Sequence, residues 1–211
     1  MKIKSILSYI LFIFALITLN SKADTIFFDS KNIKIEDEGS MIFASKGKAN
    51  IPSKNLLIEG DKFIYNKNLS ELIVIDDVKY FDNENKIYIE SEKIIYNEVK
   101  NTLFSKSQTY IISDDTYKIN SSDVLYDRNI DKISSDDLTI ISDENNNEFV
   151  LNKGLSFDLN NEIISSKEIL VKDKNLNSYF FENSRVNLKI NEIIGKEIFI
   201  EFDDSFFGNK N

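Results

Sequence analysis

The feature of this sequence that most constrains its fold is an internal repeat with a period of 30 or 31 residues. Six equivalent positions carry apolar or aromatic residues at that spacing: Ile35, Tyr65, Tyr96, Tyr126, Phe157 and Leu188. The positions two residues before them are also apolar: Ile33, Phe63, Ile94, Val124, Leu155 and Val186. Because the residue between each pair varies, the pattern is typical of a strand with one face on a core. Such self-similarity indicates a repeat architecture.

Two further columns keep the same period. The second column lies seven residues after the first and contains Ile42, Leu72, Leu103, Ile133 and Ile164, and Gly195 breaks it. The third lies fourteen residues after the first and contains Ala49, Tyr110, Ile140, Val171 and Phe202, with Lys79 as its polar exception. A fully extended repeat of this length would span about 100 Å. Each copy must therefore fold back as three or four short strands.

The apolar blocks have the length of strands, and the polar clusters between them have the composition of turns. Long helical periodicity is absent after the N-terminal segment. We therefore predict an all-β protein, an elongated β-jellyroll or solenoid of about six 30-residue repeats with an apolar inner face. An open array of this kind leaves unpaired N–H and C=O groups on its two end strands.

The N-terminal segment has the pattern of a secretory signal peptide. Lys2 and Lys4 precede an apolar run over residues 6–19, and small residues occupy Ser21 and Ala23. The run is shorter than the roughly 20 apolar residues of a membrane span. We predict a signal peptide over residues 1–23 and one β domain over residues 24–211.

Composition excludes several classes of function. The chain contains no Cys and no His, which rules out disulfides, Cys/His zinc sites and His-based acid–base catalysis. Its net charge of −9 argues against a nucleic-acid partner, which requires a basic surface. We predict a protein that is not an enzyme and has no cofactor and no metal site.

Three local patterns resemble chemical sites, but a structural interpretation fits each of them better. Paired aspartates fit turns better than a catalytic dyad: Asp76-Asp77, Asp114-Asp115, Asp136-Asp137 and Asp203-Asp204. The acidic segment 143–148 lacks the Gly and the distal Glu of a calcium loop. Ser105-Lys106 and the segment 165–167 place Ser beside Lys, but neighbours in a strand point to opposite faces.

The repeated phrases resemble a known family. Asp61–Leu72, Ser91–Leu103 and Ser121–Asp127 are similar to the recurring phrase of the OstA-like, LptA-type domain of lipopolysaccharide transport. The segment Asn191–Asn209 resembles the point where the periplasmic domain of LptD-type proteins meets their outer-membrane barrel.

The resemblance implies a β-jellyroll whose interior binds the lipid A acyl chains of lipopolysaccharide. It implies docking with other Lpt-family domains by edge-strand pairing, and a place in the periplasm at the outer membrane of a Gram-negative bacterium. The expected lipid-contacting residues are the twelve of the first two sets above, together with Leu72, Leu103, Ile133 and Ile164.

Several alternatives stay open from the sequence. The chain could be a split LptD-like protein with an outer-membrane barrel as its partner, or a free-standing LptA-like bridge protein. It could also be a structural module that pairs by strand addition and binds no lipid. A glycan-acting β-helix enzyme with paired carboxylates is a further possibility, since such enzymes also repeat.

Overall fold

The protein is described by a computed structural model over residues 25–173, 175, 177–190, 192–203 and 206–209. The predicted signal peptide, residues 1–23, lies outside the described residues, as does Asp204. Within these ranges there are seventeen strands and two 3-10 turns, Asp37–Gly39 and Pro52–Lys54. No helix in the described ranges is long and apolar enough to span a membrane. The predicted all-β class is confirmed.

The strands are short at the centre of the chain and longer on either side. In chain order they are β1 Phe27–Glu36, β2 Met41–Ile51, β3 Leu56–Asn66, β4 Glu71–Asp82, β5 Ile87–Asn97, β6 Thr102–Ser105, β7 Thr109–Ser113, β8 Tyr117–Ser121, β9 Val124–Asp127, β10 Lys132–Ser135, β11 Thr139–Ser142, β12 Glu148–Leu151, β13 Leu155–Asp158, β14 Ile163–Lys172, β15 Ser178–Asn187, β16 Glu192–Asp203 and β17 Phe206–Asn209.

Each passage of the chain from one turn to the next, here called a crossing, is interrupted near its midpoint. In the long strands the interruption is a bulge, as where the pairing of β4 with β5 shifts between Ile75 and Val78. In the centre each crossing divides into two short strands, β6 and β7, β8 and β9, β10 and β11, and β12 and β13. Bulges bend a strand and increase its twist. We call the line formed by these interruptions the crease.

Ten strands close into an antiparallel barrel. The two halves of each central crossing pair with different neighbours, and β5 and β14 belong to both halves. The pairing therefore runs β5–β6–β9–β10–β13–β14–β12–β11–β8–β7 and returns to β5. Strands β4 to β1 extend from β5, and β15 to β17 extend from β14. The predicted open array is thus wrong for the central strands, because bending at the crease lets the halves form one ring.

The first two sequence columns merge into one continuous inner row. Directly opposed residues on successive strands run Ile35, Ile42, Tyr65, Leu72, Tyr96, Leu103, Tyr126, Ile133, Phe157, Ile164, Val186 and Ile193. Opposed side chains lie on the same face of a sheet and contact each other. Each side chain of the row therefore contacts the next, and the row is one continuous series of apolar contacts through the protein.

The prediction for the last repeat is wrong by two residues. The alignment placed Leu188 in the first column, but the register sets Val186 opposite Ile164. Ile193 then follows opposite Val186, so Gly195 does not interrupt the row as the sequence suggested. Leu188 is still buried, but it begins a turn after β15. The error arose because this copy has two residues fewer before its turn.

The third column was assigned to the wrong face in part. Lys79, Tyr110 and Ile140 lie beside the inner positions, which are occupied instead by Tyr80, Ile111 and Ile141. Those three are fully buried. A one-residue change reverses the direction of every later side chain in a strand. The inner phase is kept across the crease in some copies, as from Leu72 to Tyr80, and shifts by one residue in others, as from Ile164 to Ile169. A fixed offset of fourteen residues therefore cannot stay in phase.

The crease is lined by small polar residues because the bend leaves little space inside it. Buried hydroxyls hydrogen-bond across it, with 2.7 Å between the Oγ atoms of Ser91 and Ser105 and 2.7 Å from Ser105 to Thr109. At Gly47 a Cβ atom would lie 2.0 Å from the carbonyl oxygen of Asp29. The crease therefore requires residues without bulky side chains.

Substituting Leu72 by Ala should destabilise the protein by about 2–5 kcal/mol, because it leaves a cavity in the fully buried inner row. The control is Leu69→Ala, which removes the same atoms from a side chain that is 62% exposed and should cost less than about 0.5 kcal/mol. Urea unfolding measures both. Equal losses would contradict the inner row.

Candidate functional site

Fourteen of the sixteen residues predicted to line an apolar interior are buried there. Their side chains are at most 9% exposed: Phe63, Tyr65, Leu72, Ile94, Tyr96, Leu103, Val124, Tyr126, Ile133, Leu155, Phe157, Ile164, Val186 and Leu188. They belong to one hydrophobic cluster that passes through the ten-strand barrel. The candidate site is therefore this interior and the places where it reaches the surface.

The apolar interior is exposed at both ends of the described fold. Ile33 and Ile35 face the same side as the buried row, since they pair with Ala44 and Ile42, yet they are 48% and 63% exposed. Their exposure arises because β1 pairs only with β2 among the described strands. At the other end Ile193 is 36% exposed. The row is thus closed in its middle and open at its ends.

Two rows of turns meet along one side of the barrel. Row A consists of residues 37–40, 67–70, 98–101, 128–131, 159–162 and 188–190, and row B of residues 52–55, 83–86, 114–116 and 143–147. Side chains join the rows: Asn85 Nδ2 lies 2.8 Å from Asp131 Oδ1, and Tyr117 donates to Glu162 over 2.7 Å. We call this line of contact the seam.

Row A is held in line by a regular set of backbone hydrogen bonds. The first N–H of each turn donates to the last carbonyl of the preceding turn, over distances of 2.9 to 3.2 Å. The donors are Lys67, Glu98, Arg128, Leu159 and Leu188. The last residues of four of these turns, Ser70, Asn101, Asp131 and Glu162, are left-handed, a conformation that closes a hairpin loop with a bulge.

A buried ion pair lies at the centre of the seam. Asp82 occupies an inner position opposite Leu56 and Ile87, and it is fully buried. Arg128 from row A approaches it with Nε at 2.6 Å from Oδ2 and a terminal nitrogen at 3.1 Å from Oδ1. A carboxylate buried among apolar neighbours requires such a partner, because desolvation otherwise disfavours its charge. The pair therefore joins the two rows.

The remaining hydrogen-bonding groups of this pair are also satisfied. Asp82 accepts from the Tyr126 hydroxyl at 3.0 Å and from two backbone N–H groups of the following turn. Arg128 also donates to Asn101 and to the carbonyl oxygen of Lys54. The guanidinium thus contacts three segments of the seam at once, which the planar fork of Arg allows.

A second polar contact lies next to the ion pair along the seam. Lys54 Nζ is 3.1 Å from the Tyr96 hydroxyl and 2.7 Å from the carbonyl oxygen of Glu98. The Tyr65 hydroxyl donates to the Glu98 carboxylate. The tyrosines of the inner row therefore have two functions, since their rings pack in the apolar interior and their hydroxyls reach the seam.

Tyr80 differs from these tyrosines. Its ring packs against Tyr96 and Tyr126, and its hydroxyl has no hydrogen-bond partner among the described residues. Burial, and to a smaller extent Asp82, raise the pKa of Tyr80 well above its ordinary value. Burial and Asp82 likewise raise the pKa of Tyr126. Both hydroxyls are therefore neutral at physiological pH.

The patterns considered for catalysis take structural positions. Asp76 and Asp77 are both left-handed and form the bulge of β4, whereas Asp114 and Asp115 lie in row B. Ser166 donates to the backbone carbonyl of Lys153. Asp143 accepts hydrogen bonds from within its own loop. In the described part of the chain no group of three or more acidic side chains is arranged to hold a metal ion.

No protein-family model matches the chain, and a search of curated proteins finds no similar sequence. The resemblance to the OstA-like family thus stays a prediction from the sequence motifs. What the structure contributes is the interior and its seam.

The ion pair is not among the residues predicted from the sequence, although two signals in the sequence point to it. Val78, Tyr80 and Asp82 alternate in one phase, so an acidic residue follows two core residues toward the inside. Arg128 is one of only two arginines among the 26 basic residues of the chain, and the other 24 are Lys. An inward acid and a rare Arg together indicate a buried bidentate pair.

Substituting Arg128 by Met should destabilise the protein by about 3–5 kcal/mol, because Asp82 would remain buried without its partner. The double variant Asp82→Leu/Arg128→Met should regain most of that loss, since Leu matches the neighbouring Leu56 and Ile87. A double-mutant cycle by urea unfolding measures the coupling.

The matched control is Lys62→Met, which breaks an exposed pair with Asp76 and should cost less than about 1 kcal/mol. If Arg128→Met cost no more than this control, the seam would not depend on the ion pair.

Proposed function

We propose that this protein binds the acyl chains of a lipid in its apolar interior and conveys them along the inner row. The single observation that carries the proposal is the continuity of that row, which is buried in the barrel and exposed at Ile35 and Ile193. A packed core that served stability alone would not require apolar side chains in one register that reach the surface at both ends.

The physical chemistry of the interior suits hydrocarbon. Each buried methylene contributes about 0.8 kcal/mol, so a few chain segments bind without any specific motif. The inner row presents aliphatic and aromatic side chains, and charge is confined to the seam, where Asp82 and Arg128 neutralise each other. An acyl chain inside would therefore meet no unpaired charge.

The seam gives a route by which such a chain could enter the middle. The inner row is fully buried there, so a bound chain must either displace side chains from the ends or separate the two rows of turns. The rows are joined by side-chain contacts, which can open without breaking strand pairing. We infer that the ends bind first and that the seam admits further hydrocarbon.

The resemblance to the OstA-like family supports lipopolysaccharide as the lipid, with lipid A as the part held inside. In this proposal the protein is an elongated jellyroll of about six repeats in the periplasm, exported by the segment 1–23 and associated with the outer membrane. Its neighbours would be other Lpt-type domains, and an LptD-like and an LptA-like identity are both compatible with the site.

A photocrosslinking amino acid at Ile35 or Tyr65 should capture lipopolysaccharide in a Gram-negative host that expresses the chain. The matched outward positions are Lys34 and Ile64, which are direct neighbours in the same strands. We expect crosslinking at least about fivefold stronger from the inner positions, because successive side chains face opposite sides. Immunoblotting for lipopolysaccharide on the purified adduct measures it.

Equal capture from Lys34 and Ile35 would contradict binding in the interior. Capture of phospholipid alone, identified by mass spectrometry of the adduct, would keep the acyl-chain site and reject lipopolysaccharide as its ligand.

A second candidate function is assembly by strand addition, and the edge of β1 favours it. Strand β1 pairs with β2 on one side, and no described strand pairs with its other side. An exposed edge of this kind accepts a strand from another chain. The two functions are compatible, since a conduit must also join its neighbours.

Proline at Ile33 and, separately, at Lys34 tests strand addition, because consecutive N–H groups point to opposite edges of a strand. One of the two replaced residues donates its N–H on the edge of β1 that no described strand pairs with, and only its Pro variant should lose concentration-dependent oligomers. Circular dichroism should show that this variant retains its fold. Analytical ultracentrifugation measures the oligomers. A wild-type chain that stays monomeric at all concentrations would reject this function.

A further inference from the structure

Row A carries a set of exposed apolar side chains that neither the fold nor the interior uses. Four of its turns each have one at the tip: Leu69 at 62% exposure, Val99 at 77%, Ile130 at 58% and Ile190 at 61%. The other exposed residues on those turns are Lys67, Asn68, Lys100, Asn129 and Lys189. None of the exposed residues described on these four turns is acidic, although acids outnumber bases by 35 to 26 in the chain.

Row B also consists of turns that join paired strands, but its composition is the opposite of that of row A. Its exposed residues in the turns 52–55, 83–86, 114–116 and 143–147 include four acids, Glu84, Asp114, Asp115 and Glu144. Its one exposed Lys, Lys86, pairs with Asp114. No large aliphatic side chain is exposed on the described residues of these four turns. Hairpin turns in this fold therefore do not require apolar tips, and those of row A need another explanation.

The row A tips are separated and aligned. The backbone hydrogen bonds between successive turns hold them in one line, and two strand steps of about 4.8 Å set them about 10 Å apart. Single apolar side chains at that spacing do not form the contiguous, closely packed core that a protein interface needs. They suit a partner that each side chain can enter independently.

We propose that row A is a lipid-surface contact, with the four apolar tips inserted among acyl chains at the membrane interface. Lys67, Lys100 and Lys189 lie on the same turns and complement anionic headgroups. Apolar side chains flanked by Lys are typical of interfacial anchors. The acidic row B faces the same side across the seam, so repulsion from headgroups tilts the molecule onto row A.

The limits of the contact follow from the two remaining turns of row A. The first of them exposes Asp37 and Glu38, and the turn at 159–162 exposes Asn160 and Asn161. The inserted stretch therefore extends from Leu69 to Ile130, with Ile190 as a separate point. This surface is distinct from the interior, so its contact with lipid does not depend on the proposed conduit.

The absence of Cys from the chain allows a test at single sites. Single Cys variants at Leu69, Val99 and Ile130 in row A, and at Glu84, Asp115 and Asn145 in row B, are labelled with one polarity-sensitive fluorophore. Vesicles of phosphatidylethanolamine and phosphatidylglycerol are then added. We expect a blue shift with increased emission at the row A sites and none at the row B sites, with weaker shifts on phosphatidylcholine vesicles.

A paired substitution tests the energetics. Val99→Ser with Ile130→Ser should weaken binding to these vesicles at least about tenfold in flotation. Leu125→Ser with Leu138→Ser removes two exposed apolar side chains outside the row A tips and should leave binding unchanged. Circular dichroism verifies the fold of both variants. Equal shifts at rows A and B, or equal losses in the two double variants, would overturn the proposal.

The proposed conduit and the proposed surface contact can be tested independently of each other. The double variant Ile33→Asp/Ile35→Asp should abolish lipopolysaccharide capture in the interior but preserve the fluorescence shift at row A. If that variant also lost the shift, the lipid-surface contact would be at the open end of the interior, and row A would not be its site.

Discussion

Contact between directly opposed inner side chains is the interaction on which this structure depends. Successive strands place one apolar residue against the next, from Ile42 opposite Tyr65 through Ile133 opposite Tyr126 to Ile164 opposite Val186. Because a strand alternates with period two, this contact fixes which residues face inward in every crossing. The interior, the crease and the seam all follow from that choice.

The apolar inner face explains where the buried polar groups lie. Asp82 and Arg128 would be costly anywhere in the inner face except where two rows of turns bring them together. Tyrosine hydroxyls then reach the same line from their positions in the inner row, as Tyr126 does. The buried charges of Asp82 and Arg128 thus lie at the seam, where the two halves of a crossing end and rows A and B meet. Replacing such a pair by apolar residues often preserves stability, which is the basis of the expected recovery in the double variant.

Much of the inner face could be predicted from the sequence alone. Residues such as Tyr65, Tyr96 and Phe157 recur at a period that only a repeated strand pattern explains, and they are buried. The exposure of Ile35 could not be predicted, because it depends on β1 pairing with β2 alone among the described strands. The phase at Tyr80 could not be predicted from the other copies, because the inner phase is kept across the crease from Leu72 to Tyr80 but shifts by one residue between Ile164 and Ile169.

Barrel closure and the ion pair could not be predicted from the periodicity of the sequence. Periodicity reports which face a residue takes within its strand, but it carries no information on which half-crossings pair across the ring. Asp82 at the end of β4 and Arg128 in row A are 46 positions apart in the sequence, and they meet only because the crease bends each crossing. The periodicity cannot distinguish function either, since an apolar core and an acyl-chain site have the same sequence pattern.

The ladder of hydrogen-bonded turns in row A has a consequence for how such a protein can change in length over evolution. The backbone hydrogen bonds of each turn in this row go only to the turns before and after it. Two whole crossings could therefore be gained or lost as a block, because the turns on either side of the block would again match. The interior would then lengthen or shorten by about 10 Å. A single inserted residue between crease and turn would instead invert the faces of that half-crossing. Gene duplications that respect the period are thus tolerable where small insertions are not.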